Sequence, residues 1–215
     1  MLLAVAVGLG YLFGGRLRGF ENLEVNRWGL ALVGLALQLV PAHWIAGAQA
    51  SVVGPVMLAL SYPFLIAFLA ANRWIPGTAA MSIGLFMNLV VVVLNGGMPI
   101  QASAIERAGM DVTALTESST KHHLMSDGDV LRPLGDVLPV PPPGAAVFSI
   151  GDALLYGGVV YSVVQIMRGR RRENPRPLAW WFPEYRGKHA PEHWRMPVRY
   201  RDPDHAATGR SGTEP

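Results

Sequence analysis

From Val52 to Ala71 the chain runs for twenty residues without a charged side chain, and from Thr78 to Asn95 for another eighteen. A bilayer hydrocarbon core about 30 Å thick is crossed by roughly 17–25 helical residues, so either stretch is long enough to span it. The string Leu89-Val90-Val91-Val92-Val93-Leu94 is apolar on every helical face. A helix at the edge of a soluble core carries a polar stripe instead. Three more apolar stretches follow the pattern, at Met1–Gly15, Trp28–Ile45 and Ser149–Met167, the first of them short. The chain therefore reads as an all-α, polytopic membrane protein. Its five spans lie at about 1–15, 28–45, 52–71, 78–95 and 149–167. A long loop, 96–148, precedes the last span, and a tail, 168–215, follows it.

Composition supports this division. Only 15% of residues are charged, against about 25% in an ordinary soluble domain. The absence of cysteine excludes disulfides, thiolate metal sites and a cysteine nucleophile. Basic residues are distributed unevenly. The loop after the first span carries Arg16, Arg18 and Arg27, the loop after the third carries Arg73, and the tail carries eleven. The loop after the second carries none, and 96–148 carries Arg107, Lys121 and Arg132. Fifteen against three places the N-terminus outside and the tail in the cytoplasm. Trp28 and Trp74 are then expected at the inner interface and Trp44 at the outer. Met1–Gly15 has no basic n-region and no A-x-A-like site after it, so it reads as an uncleaved helix.

The polar residues near the span ends have plain structural readings beside functional ones. Asn95-Gly96-Gly97-Met98-Pro99 reads as a helix stop, since Gly caps a helix and Pro blocks its continuation. Its alternative is bare backbone lining a site. Ser149-Ile150-Gly151-Asp152 has capping-box spacing with Asp in place of Glu, and an acid suits the helix N-terminus. Its alternative is a ligand or proton site at Asp152. Asn88 and Asn95 share a face with Ala80 and Gly84, the pattern of a packing seam closed by interhelical hydrogen bonds. Gln38 and Gln165 are candidates for the same role, and Ala6, Gly10 and Gly14 form a second small-residue row. Lys121 and His122 are expected to anchor the loop to Asp136 or Asp152. Pro139-Val140-Pro141-Pro142-Pro143 is expected to make a stiff, extended approach to the last span. The adjacent His122 and His123 match no zinc or calcium signature, so no metal is expected.

Four strings, taken in order, resemble a known family. They are Gly14-Gly15-Arg16-Leu17 with Asn22-Leu23 and Gln38; Asn95-Gly96-Gly97-Met98-Pro99; Lys121-His122 with Leu134-Gly135-Asp136 and the proline run; and Ser149-Ile150-Gly151-Asp152. Together they resemble the bacterial integral-membrane proteins grouped as domain-of-unknown-function family 5317, over about Met1 to Met167. The resemblance implies a multi-span membrane fold and carries no activity.

The expected cluster at the outer face comprises Asn88, Asn95, Gly96, Gly97, Pro99, Lys121, His122, Asp136, Gly151 and Asp152. Arg168, Arg170, Arg171 and Arg172 are expected to meet anionic lipid headgroups. The bilayer is the expected partner, with another membrane protein beside it. A net charge of +5 over the tail is too thin for nucleic acid. No nucleotide-binding or acyl-transfer motif occurs, and no cofactor is implied. Three functions remain. The first is a non-enzymatic accessory or assembly subunit of a membrane complex. The second is a small-solute transporter or permeation module with Gln38, Asn88, Asn95 and Asp152 along a polar path. The third is a membrane hydrolase using Asp136, Asp152 and His122.

Overall fold

The computed structural model describes residues 1–21, 23–39, 50–113 and 120–169. Among them are six α-helices: α1 (Leu2–Leu12), α2 (Trp28–Leu39), α3 (Ala50–Ala71), α4 (Thr78–Asn95), α5 (Ala102–Arg107) and α6 (Ile150–Met167). By length and composition, α3, α4 and α6 can each cross a membrane, whereas α1 and α2 are shorter apolar helices. The last part of the expected second span, 40–45, and the tail from Arg170 onward lie outside the described residues.

Helix ends follow local chemistry. Helix α4 is bounded by two glycines in the left-handed region, Gly77 at φ +93° and Gly96 at φ +65°. The N–H groups of Gly96 and Gly97 both donate to the Val92 carbonyl, which ends the helix at the expected residue. Helix α1 stops at Leu12, earlier than expected, and Gly14 (φ +76°) turns the chain back. Gly14 therefore leaves the small-residue row, while Ala6 and Gly10 stay buried in it. The turn lets the Arg16 N–H donate to the Met167 carbonyl at 2.8 Å, fastening the segment after α1 to the end of α6.

The helices pack in the order α2–α3–α4–α6–α1. Leu58, Tyr62 and Leu69 of α3 meet Met81, Leu85, Val91 and Val92 of α4 in the main core. Ala6 of α1 meets Val163 and Met167 of α6 in a smaller one. The α4–α6 contact is made by glycines spaced seven apart on both helices. A Cβ on Gly84 would come within 2.3 Å of the Gly151 carbonyl oxygen, and one on Gly77 within 2.4 Å of that of Gly158. Two backbones approach this closely only where side chains are absent. The opposite faces carry exposed Leu32, Val56, Ile83, Phe86 and Val93. Trp28 is exposed at the start of α2, and Trp74 is buried within the protein.

The loop between α4 and α6 adds two small sheets to an otherwise helical fold. Strands β1 (Met98–Ile100) and β2 (His122–Leu124) pair in parallel, and β3 (Leu138–Val140) and β4 (Ala146–Phe148) pair antiparallel. The proline-rich segment is thus one arm of a hairpin, not a straight approach. A two-stranded sheet has only edge strands, where proline is tolerated.

Candidate functional site

Strand β1 organises the site through its backbone. On one side it pairs with β2, setting Met98 opposite His122. On the other, the Asp136 N–H donates to the Pro99 carbonyl at 2.9 Å and the Gln101 N–H donates to the Asp136 carbonyl at 3.0 Å. Pro99 has no N–H to offer, yet its carbonyl is the acceptor this register needs. These bonds bring the Asp136 carboxyl within 3.5 Å of His122 Nε2. Asp136 is 4% exposed, and its Oδ1 has no hydrogen-bond partner among the described residues.

Burial, and then the nearby Asp152 carboxylate, push the Asp136 pKa up to about 8. The His122 side chain keeps 37% of its surface exposed. Even so, its surroundings, burial first and the Lys121 ammonium second, hold its pKa below the ordinary value. Near neutrality the two therefore face each other as a carboxylic acid and a neutral imidazole. An ionised Asp136 with one oxygen unpaired would cost several kcal/mol, so keeping the proton is the lower-energy state.

Asp152 sits in the first turn of α6 and is held from two sides. Ser149 Oγ accepts from the Asp152 N–H at 3.0 Å and Asp152 Oδ2 accepts from the Ser149 N–H at 3.1 Å, the reciprocal capping box. Its other oxygen accepts from Asn88 Nδ2 of α4 at 2.8 Å, and Ser149 Oγ donates to Asn88 Oδ1 at 2.9 Å. Asn88 thus closes the α4–α6 seam as expected. In α2, Gln38 Nε2 donates to Ser61 Oγ of α3 at 2.9 Å.

A cavity of about 400 Å³ opens between α2, α3, α4 and α6. Gln38, Asn88 and Asp152 line it at the end nearest the loop, together with Tyr62 of α3 and Tyr156 of α6. Leu65, Phe68 and Leu69 line it toward the opposite end. The two tyrosines and Ser61 were not singled out from sequence. Each lies inside an apolar run, and nothing in its neighbours' spacing marks it.

The other expected residues are placed as follows. Asn95 does not reach the cavity. Its amide clasps the loop, accepting from the Val130 N–H at 2.7 Å and donating to the Val130 carbonyl at 3.0 Å. Gly96 and Gly97 form the helix stop, and a Cβ on Gly97 would lie 3.2 Å from His123. Gly151 is buried in the glycine seam. His122 anchors to Asp136 as expected, but Lys121 reaches neither acid; its ammonium donates to the Gln38 carbonyl near the end of α2. A cation suits the negative end of a helix. Arg168 is exposed beyond α6, and Arg170, Arg171 and Arg172 lie outside the described residues. Gln165 lines a separate groove between α1 and α6. Among the described residues, no three His, Asp or Glu side chains gather as a metal site.

The family of unknown function DUF5317 matches this chain over residues 22–164. The chain belongs to this family. An uncharacterised protein of Thermotoga maritima is 32% identical over 146 residues, covering 64% of this chain and 74% of that protein. No solved structure matches. The DUF5317 match takes in Gln38, Tyr62, Asn88, Asp136, Asp152 and Tyr156, that is, the whole candidate site. It leaves out α1, the Gly14-Gly15-Arg16-Leu17 string and Arg168.

Proposed function

We propose that this DUF5317 member is a five-span protein of the bacterial inner membrane, with its N-terminus outside and its tail in the cytoplasm. In this reading it holds a small solute in the cavity between α2, α3, α4 and α6, as a transporter or permeation module. One observation carries the proposal. Gln38, Asn88 and Asp152 come from three different helices and line a single cavity. Caps and packing seams account for Asn95, Gly96 and Gly151, which is what an accessory subunit needs, but they do not call for a polar cavity. A hydrolase would need Asp136, Asp152 and His122 within hydrogen-bond reach of one another. The hydrogen bonds of Asp152 go to Asn88 and Ser149 instead. The exposed apolar faces of the helices support the membrane frame.

The test is whether water enters the cavity. The chain has no cysteine, so a single one can be introduced. Leu155→Cys lines the cavity, and Phe86→Cys sits on the exposed apolar face of α4. Maleimides react with the thiolate, which needs water. With a water-soluble maleimide on intact cells, Leu155→Cys is expected to label at least tenfold faster than Phe86→Cys. If both stay inert the cavity is dry and the transporter reading falls. Stoichiometric co-purification with another membrane protein would then favour the accessory subunit.

A further inference from the structure

The cavity is electrostatically unbalanced. Among the described residues that line it, Asp152 is the one acidic side chain and no Lys or Arg side chain lines it; the Lys121 ammonium sits outside the lining, on the Gln38 carbonyl. Its two carboxylate oxygens accept one hydrogen bond each, from Asn88 and from the Ser149 N–H, and both donors are neutral. A carboxylate offers about four acceptor sites, so roughly half its capacity is left over. A carboxylate with acceptor capacity left over and no directly paired cation attracts a cation.

Two further features decide what kind of cation. Tyr62 is 5% exposed, lines the cavity, and its hydroxyl makes no hydrogen bond to another described residue. Tyr156 supplies a second aromatic ring. Electron-rich ring faces attract ammonium groups. The volume, about 400 Å³, is far more than a bare metal ion fills, and the wall toward Leu65, Phe68 and Leu69 is apolar.

We infer that the cavity binds an organic ammonium ion, its charged head at Asp152 and its apolar body extending toward Leu65 and Phe68. This rests on the solute-binding reading above and names the class of solute. The ammonium could belong to a free amine or to a lipid headgroup, and the chemistry recognised is the same.

The test uses the full-length protein in a detergent with uncharged headgroups and follows binding by titration calorimetry. The probes are 2-phenylethylammonium and its neutral analogue 2-phenylethanol. The ammonium should bind at least tenfold more tightly, and Asp152→Asn should abolish that preference. Because Asp152 also caps α6, two variants that leave the cap intact accompany it. Tyr62→Phe should weaken the ammonium about 3–10-fold, the range of one hydrogen bond. Ala31→Phe, at the apolar end, should weaken both probes. In nanodiscs, weaker probe binding in phosphatidylethanolamine than in phosphatidylglycerol supports a lipid ammonium as the natural occupant, and equal binding supports a free amine. Equal affinity for the two probes in the unsubstituted protein overturns the inference. So does failure of both to bind while Leu155→Cys still labels, and in either case the solute-binding reading survives. Failure of both to bind with Leu155→Cys inert removes the two together.

Discussion

Asp136 lies beneath the loop with one carboxyl oxygen unpaired and its pKa raised to about 8. In the unfolded chain an aspartate titrates near 3.9. Between those values the folded protein holds one proton more than the unfolded, so this group's contribution to stability declines as pH rises and levels off above about 8. His122 acts in the opposite sense. Its folded pKa lies below the ordinary 6.5, so its contribution is lost as pH falls through that region. From about pH 7.5 to 9 the imidazole is largely neutral in both states, so the difference between the unsubstituted protein and an Asp136 variant over this interval reports Asp136. The melting temperature in detergent should fall over this interval, and Asp136→Asn, which cannot ionise, should flatten the decline. An unchanged slope in the variant would show that Asp136 is ionised in the fold. Residues whose partners are local were legible in the sequence. The Ser149–Asp152 box spans four residues and its chemistry is reciprocal. Lys121 departs from the expected anchor because its side chain is long and its acceptor, the Gln38 carbonyl, is a backbone atom 83 residues away. Backbone acceptors leave no mark on composition.

At the scale of elements, the α4–α6 contact depends on what glycine lacks. A Cβ on Gly151 would lie 2.0 Å from Asn88 Oδ1 and 2.6 Å from the Gly84 carbonyl oxygen. Backbone cannot yield as a side chain end can, so Gly151→Ala should destabilise the protein by about 1–3 kcal/mol, the usual cost of overpacking. The same change at Gly157, where a Cβ meets nothing within 4 Å, should be neutral or gain about 0.5–1 kcal/mol from helix propensity. Thermal unfolding of the pair checks this, and equal effects would mean that the close approach is not what holds the helices. Helix α4 was legible to the residue because an uncharged run ended in a glycine pair. Of the four residues in the seam, only Gly84 was singled out as a packing residue. Gly77 and Gly158 stand in glycine-containing stretches where spacing alone does not say which face turns inward. The strands β1 to β4 are three residues each and two contain proline, so neither alternation nor propensity could reveal them. Their pairing is decided by contacts across the loop.

For the whole molecule, the charge asymmetry makes a topological prediction. Asp127 is fully exposed in the loop and Arg168 is exposed beyond α6. With a membrane-impermeant maleimide, Asp127→Cys should label on intact cells and Arg168→Cys only after permeabilisation. The reverse pattern would invert the proposed orientation. Arginine counts give the expected side of each loop, because orientation follows charge near the spans, and this labelling tests it. The cavity could not be read from sequence, because it is a space between four helices and depends on how they lean together. One consequence follows from the order α2–α3–α4–α6–α1. Among the described helices, α1 is made about 140 residues before its main packing partner, α6. At roughly 5–20 residues per second of synthesis, α1 must wait on the order of ten seconds or more with its Ala6–Gly10 face unmatched. Closing the bundle therefore waits on the synthesis of α6, and a chain truncated before α6 would leave the ribosome with α1 still unpaired.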